Sequence, residues 1–254
     1  MSAGEELLAD LEAGRRRAAW PDASVPGGWR VDPAVKEEIL ALFGSGNRDW
    51  SLADTFHFRD RASLPTQRPA DGVRIVPGGT TVRRGAHLAS GVVVMPPAFV
   101  NIGAFIGEGT MVDSHVLVGS CAQIGAGVHL AAAVQIGGVL EPAGARPVIV
   151  EDDAFVAAGC LLLEGVLVGS GAVLGAGVLL TGTSRLYDVL DERMLQGTPE
   201  SPLVVPPRAV VVPGTRALSG AFAESHGLGV ATALIVKRRD ARTDARTALE
   251  DFLR

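Results

Sequence analysis

Cysteine, aromatic rings and charge in the middle of the chain are what this sequence has least of. Two cysteines in 254 residues, Cys121 and Cys160, do not make a disulfide framework and lack metal-ligand spacing, so the chain reads as a protein of a reducing cytoplasm. Aromatics make up 5% of residues, too few for a core built on stacked rings. The N-terminus, MSAGEELLADLEAGRRRAAW, lacks the apolar run and small-residue cleavage site of a secretory signal. A formal net charge of -5 leaves no basic footprint for nucleic acid.

What is present is 47% hydrophobic residues together with 32 glycines and 15 prolines. That mixture excludes disorder as the main state and favours short strands and tight turns over long helices. Residues 114–140 and 165–184 carry no Asp, Glu, Lys or Arg, and each is long enough to span a membrane. Their internal order excludes a membrane helix, because glycines recur through both and each would weaken a helix interior.

That order is a six-residue period. Aliphatic residues fall at Val76, Val82, Leu88, Val94, Val100, Ile106, Val112, Val118, Ile124, Leu130 and Ile136, then at Val150, Val156, Leu162, Val168, Leu174 and Leu180. The position four residues on is small or β-branched, as at Ala86, Ala98, Ala122, Val134, Cys160 and Ala172. Such a period predicts short strands joined by turns, each aiming one aliphatic side chain inward, with three hexads closing one coil of a parallel β-helix of triangular section. The pattern resembles the left-handed β-helix of hexapeptide-repeat proteins. Uncharged prism walls are large apolar patches that a soluble monomer rarely tolerates, so a homotrimer packed through them is expected.

Three regions follow. Residues 1–72 should be a small helical domain, with one helix over Glu5 to Trp20 and a second capped by Asp32-Pro33 and stopped at Gly44; residues 46–72 read as polar and irregular. Residues 73–186 are the β-helix, interrupted by an inserted loop at 137–148, GGVLEPAGARPV, in the position of a functional loop. Residues 187–254 should hold short strands at Val210–Val212 and Leu234–Val236 and a terminal helix over Thr243 to Leu253, with Ala245, Ala248, Leu249 and Phe252 on one side. The basic cluster Lys237, Arg238 and Arg239 is either a solvated run or a site for a phosphorylated ligand.

Several stretches carry a more specific likeness: RIVPGGTTVRRGAHLASGVVVMPPAFVNIGAFIGEGTMVD, VGSCAQIGAGVHL, IGGVLEP, IVEDDAF, SRLYD and ALIVKRRDART. From Arg74 to about Arg246 the chain closely resembles the tetrahydrodipicolinate N-succinyltransferases of lysine biosynthesis. The resemblance implies a trimer with sites between subunits, succinyl-CoA as acyl donor, a small dicarboxylic amine as acceptor, and no metal. It also implies that Asp113 acts on the acceptor amine, that Arg74 holds an acceptor carboxylate, and that Gly138, Ser184, Arg185, Lys237 and Arg238 belong to segments that bind coenzyme A. The chemistry agrees with those residue types. An attacking amine must lose a proton to a nearby base, a developing oxyanion needs backbone N–H groups, and arginine grips a carboxylate with two donors.

The sequence departs from the family at two places. After IVEDDAF the family's Gly-Ala-Arg-Ser-Glu-Val-Val-Glu-Gly becomes Ala157-Ala158-Gly159-Cys160-Leu161-Leu162-Leu163-Glu164-Gly165. An arginine is thus replaced by Gly159 and a glutamate by Leu161, while Glu164 is kept. The family's Asp-Thr-Trp becomes Asp113-Ser114-His115, which places a residue that titrates near neutrality beside the acid, where it could share the missing glutamate's role or be a surface histidine. His129, in VHL, reads as structural. With Ser114, Leu161 and Glu164 lining the acceptor side, the charge lost at Gly159 and Leu161 predicts an altered, smaller acceptor. The alternatives are the authentic lysine-pathway reaction and a catalytically silent trimeric binding protein. A metal-dependent hydrolase on the same coils would need three converging histidines, and His87, His115 and His129 do not have that arrangement.

Overall fold

The computed structural model describes residues 2–52 and 55–247. From Arg74 onward the chain winds into a three-sided prism of parallel strands, most of them two residues long. The first wall stacks Arg74–Ile75, Val93–Val94, Met111–Val112, His129–Leu130, Phe155–Val156 and Val173–Leu174. The second stacks Thr81–Val82, Phe99–Val100, Leu117–Val118, Gln135–Ile136, Leu161–Leu162 and Leu179–Leu180. The third stacks His87–Leu88, Phe105–Ile106, Gln123–Ile124, Ile149–Val150, Leu167–Val168 and Val204–Val205.

Each strand pairs with the one a full coil later, as in Phe105 with Gln123 and Met111 with His129. The second residue of each pair points inward, so Val82, Val100, Val118, Ile136, Leu162 and Leu180 form one buried ladder of three. Ala86, Ala98, Ala122, Val134, Cys160 and Ala172 fill the corners of the same core. Each inward Val, Leu or Ile contributes about 1.5–3 kcal/mol on burial, and the prism is too narrow to hold rings, which explains the scarcity of aromatics. The charge-free stretches are coil walls; among the described residues no helix is long and apolar enough to cross a membrane.

The period differs from expectation at its first member. Ile75, not Val76, is in register with Val94, because Gly78 and Gly79, both at positive φ, add a residue to the first turn. The pairing also runs past residue 186: after an antiparallel hairpin of Arg185–Asp188 and Arg193–Gln196, Val204–Val205 rejoins the third wall and Val210–Val211 joins the first. The expected short strands near the C-terminus are long ones, Ala209–Ala217 and Gly229–Arg238, paired antiparallel.

In the N-terminal region, α1 (Ala3–Glu12) is shorter than expected, and α2 (Pro33–Leu42) starts at the Asp32 cap, whose carboxylate accepts the Val35 N–H. Residues 47–61, expected to be irregular, form an exposed hairpin of Asn47–Leu52 and Phe56–Arg61. The two helices pack on the corner between the second and third walls through Leu7, Leu8, Leu11 and Ile39 against Ile102 and Cys121. Arg17 lies 3.5 Å from the Phe105 ring centre and donates to the Gln123 side chain at 2.9 Å, so the third wall is covered. The second wall is not: Leu161 and Leu179 are 37% and 46% exposed. Near the C-terminus lie α3 (Ala221–Ser225) and α4 (Ala241–Thr247). Of the apolar stripe expected on the terminal helix, Ala245 falls within α4, while Ala248, Leu249 and Phe252 lie outside the described residues.

Candidate functional site

Most corners of the prism hold a residue in the left-handed region of backbone space, and glycine usually supplies it. At the corner between the first and second walls that residue is His115, at φ 62°, with Ala133, Gly159 and Gly177 in the same place on later coils. The His115 N–H donates to Pro97 at 2.6 Å and its carbonyl accepts from the Gln135 amide at 3.2 Å. The backbone is thereby pinned while the exposed imidazole projects from the edge.

Asp113 enters the same corner. Its N–H is part of the coil ladder, donating to Leu130 at 2.9 Å, and one carboxylate oxygen accepts the Ser114 N–H at 2.7 Å. The other lies 3.9 Å from Nε2 of His129, on the next coil. Asp113 keeps 31% of its side chain exposed, so the carboxylate is oriented by a backbone donor yet open to an incoming molecule. Sequence reasoning paired Asp113 with His115 and took His129 as structural; the nearer imidazole is His129. The signal lies in the coil arithmetic: Asp113 follows the inward Val112, His129 precedes the inward Leu130, and Val112 and Leu130 are register partners.

Arg74 stands on the outer face of the first wall, two strands from Met111, which is about 10 Å at the spacing of neighbouring strands. Gly159 is two coils from His115 on the same edge, and a side chain added there would meet nothing within 4 Å. Leu161 faces outward on the second wall between Gln135 and Leu179.

Gly138 and Glu164 lie on a different edge, between the second and third walls. They line a cavity of about 760 Å³ beneath the inserted loop, together with Glu141, Arg146 and Glu200. The Glu164 carboxylate accepts the Gly182 N–H at 3.2 Å. The loop is fastened to the N-terminal region: the fully buried Lys36 ammonium donates to the Pro142 and Ala145 carbonyls at 3.3 and 2.6 Å, and Arg146 donates to the Trp29 carbonyl at 2.8 Å.

Ser184 and Arg185 line a separate cavity of about 340 Å³ with Arg216 and Gln196. Lys237 donates to Asp240 at 3.2 Å, and Arg238 donates to Asp188 and Asp191, both at 2.8 Å. Burial of Asp188 works against its charge, but Arg238 and the backbone N–H groups of Asp191 and Leu190 outweigh it and hold the carboxyl below its ordinary range. Arg238 is thus committed within the chain to joining the C-terminal strand to the 185–196 hairpin. Both cysteines are buried, and burial raises their thiols to about 12 for Cys121 and about 11 for Cys160; such thiols are inert core residues.

Within one chain these residues form three groups rather than one site. The Asp113 edge and the Glu164 edge stand on opposite sides of the uncovered second wall.

No protein-family model matches the chain. Among curated proteins it is 39% identical to the 2,3,4,5-tetrahydropyridine-2,6-dicarboxylate N-succinyltransferase of Albidiferax ferrireducens, over 100% of this chain and 89% of that protein. It is 41% identical to the protein of the same name from Nitrobacter winogradskyi, over 98% of this chain and 88% of that one. The Idiomarina loihiensis protein of that name is 40% identical, over 98% and 87%.

Proposed function

The chain belongs to the 2,3,4,5-tetrahydropyridine-2,6-dicarboxylate N-succinyltransferase family, and from that premise we propose that it carries out the reaction its relatives are named for, with succinyl-CoA as donor and tetrahydropyridine-2,6-dicarboxylate as acceptor. It is an N-succinyltransferase, a CoA-dependent acyltransferase. The observation that carries the choice of acceptor is the identity near 40% over essentially the whole of this chain, to relatives that all bear that name. The altered-acceptor reading rests on Gly159 and Leu161 alone, and the relatives' names favour the authentic substrate over it.

The acceptor is a cyclic imine without an N–H, so water first adds across its C=N bond; the resulting ring nitrogen attacks the thioester carbonyl, a C–N bond forms, the C–S bond breaks, and the coenzyme leaves as its thiol. The nitrogen must shed a proton on the way, and Asp113 is the base: half-open to solvent, with one oxygen fixed by Ser114 and the other toward His129. Arg74, on the same wall, holds an acceptor carboxylate with two parallel N–H donors. Backbone N–H groups of the glycine-rich corners stabilise the oxyanion. Gly138 and Glu164, beneath the inserted loop, and Ser184 and Arg185, at the second cavity, serve the coenzyme and acceptor. Lys237 contributes charge at the rim, while Arg238 fixes the strand that carries it.

The coils wind left-handed, and three copies pack through the uncovered second wall. That packing brings the Asp113 edge of one copy against the Glu164 edge of the next, which completes a site no single chain contains. The test is turnover by the purified protein with succinyl-CoA, read as thiol release. Tetrahydropyridine-2,6-dicarboxylate should be succinylated at ordinary enzyme rates and small amino acids poorly; the opposite order would restore the altered-acceptor reading. Asp113→Asn should lower turnover by about a hundredfold or more while leaving the assembly intact.

A further inference from the structure

We infer that the hairpin of Asn47–Leu52 and Phe56–Arg61 is an arm that grips a second copy of this chain, with its apolar face closed on the neighbour's Pro77 and Pro97. The inference rests on the packing through the second wall proposed above. Cross-strand pairing gives the hairpin two unlike faces, with Trp50 beside Phe58 and Leu52 beside Phe56 on one, and Asp49 beside Arg59 and Ser51 beside His57 on the other. The Trp50 and Phe58 rings stack at 4.6 Å between centres, and exposure on their face rises from 40% at Trp50 to 61% at Leu52. A two-stranded hairpin with a bare apolar face is marginal in water, so the face needs a cover.

The chain's own wall does not supply that cover. The hairpin's root is tied to the corner between the second and third walls, where Asp60 accepts from Arg83 at 2.5 Å and Ser63 donates to the Leu42 carbonyl at 2.6 Å. From there a groove of about 610 Å³ separates Trp50 and Phe58 from Thr81 and Phe99. Thr81 and Phe99 begin the outward column of the second wall that ends in the exposed Leu161 and Leu179. Strands of six residues reach about 20 Å, far enough to overhang whatever sits on that wall. A copy seated on the second wall therefore also enters the groove.

The geometry also names the contact on the neighbour. Copies that pack along a straight wall and close a ring are related by rotation about an axis running with the prism, which keeps each coil level with its counterpart. The groove lies on the coils of Thr81 and Phe99, and the opposite corner of those two coils carries Pro77 and Pro97, both exposed. Their flat, apolar pyrrolidine rings match the faces of Trp50 and Phe58. Charge agrees with this placement. Arg59 and Arg83 are paired with Asp49 and Asp60, so Arg48 and Arg61 leave the groove cationic. The neighbour's corner carries Asp113 one coil above Pro97, where the His115 N–H meets the Pro97 carbonyl.

Two experiments test the grip. Phe58→Cys together with Pro77→Cys, treated with a short bismaleimide, should give cross-linked dimers and trimers on a denaturing gel, while either single variant gives single chains. The native Cys121 and Cys160 are buried and stay unlabelled. Trp50→Ser with Phe58→Ser changes positions that bury little within the chain. By sedimentation, the concentration at which that assembly half-dissociates should rise at least about tenfold.

A trimer that yields only single chains after cross-linking would overturn the inference and leave the packing through the second wall standing, as would a folded double-serine variant that dissociates like the wild type. Should the double-serine variant fail to fold, the cross-link still decides. Wild-type protein that sediments as single chains overturns that packing and the grip with it. A wild-type trimer that transfers no succinyl group overturns the acyl-transfer reading alone, a result distinct from any of these.

Discussion

His87 shows how a single side chain couples the prism to the N-terminal region. Its ring stacks on Phe105 at 4.5 Å between centres, and Nδ1 meets the Glu12 carbonyl at 2.8 Å. A carbonyl only accepts, so Nδ1 carries the proton. Burial pushes the His87 pKa below its ordinary 6.5; the Glu12 carbonyl opposes this and Arg17 adds to it. Between the lowered folded value and 6.5 the unfolded chain binds more protons than the folded one, so stability rises with pH across that window and is lost as pH falls through it. The melting temperature should therefore drop between about pH 7 and about pH 5. His87→Asn, which keeps a donor near the Nδ1 position and cannot titrate, should show a shallower drop by calorimetry; an equally steep one would assign the acid sensitivity to other groups.

The inserted loop roofs the cavity of about 760 Å³, and two features far from its tip set its placement. Lys36, on α2, gives its ammonium to two loop carbonyls from a fully buried position. Lys36→Met keeps the stem and removes the donor, leaving both carbonyls unsatisfied at a cost of about 1–3 kcal/mol. Denaturant titration should show that loss, and amide exchange in residues 137–148 should quicken. At the loop's root, a Cβ on Gly119 would collide with the backbone of Gly137 and Gly138, which cannot yield as a flexible side chain would. Gly119→Ala should lower both stability and turnover, with the exchange change concentrated at the loop. The loop was legible as an interruption of the six-residue count. Its latch was not, because Lys36 and Ala145 become neighbours only once α2 lies on the coils.

At the scale of the molecule, the proposed assembly turns on the uncovered second wall. Leu161 and Leu179 stand 37% and 46% exposed on it, while the third wall is sealed by Arg17, Trp29 and α1 and α2. Sedimentation should find three chains per particle. Leu161→Arg with Leu179→Arg should yield folded single chains without turnover, since charge on an apolar contact blocks packing and leaves the inward ladder untouched; an assembled, active double variant would place the contact elsewhere.

The coil architecture was written in the sequence because a six-residue aliphatic period with small corner residues has one compact solution: inward side chains recur at fixed intervals and corners need residues that accept the left-handed region. The likeness of motifs likewise named the family. Tertiary structure decided the rest. Periodicity picked Val76, and the register with Val94 corrected it to Ile75, because the residue added at the first turn is invisible to a count of six. The hairpin at 47–61 was hidden because its strands bury almost nothing. His129 reached Asp113, and Arg238 turned toward Asp188, only because coiling places residues far apart in sequence on adjoining strands, and a side chain's partner is set by that proximity and not by its neighbours along the chain.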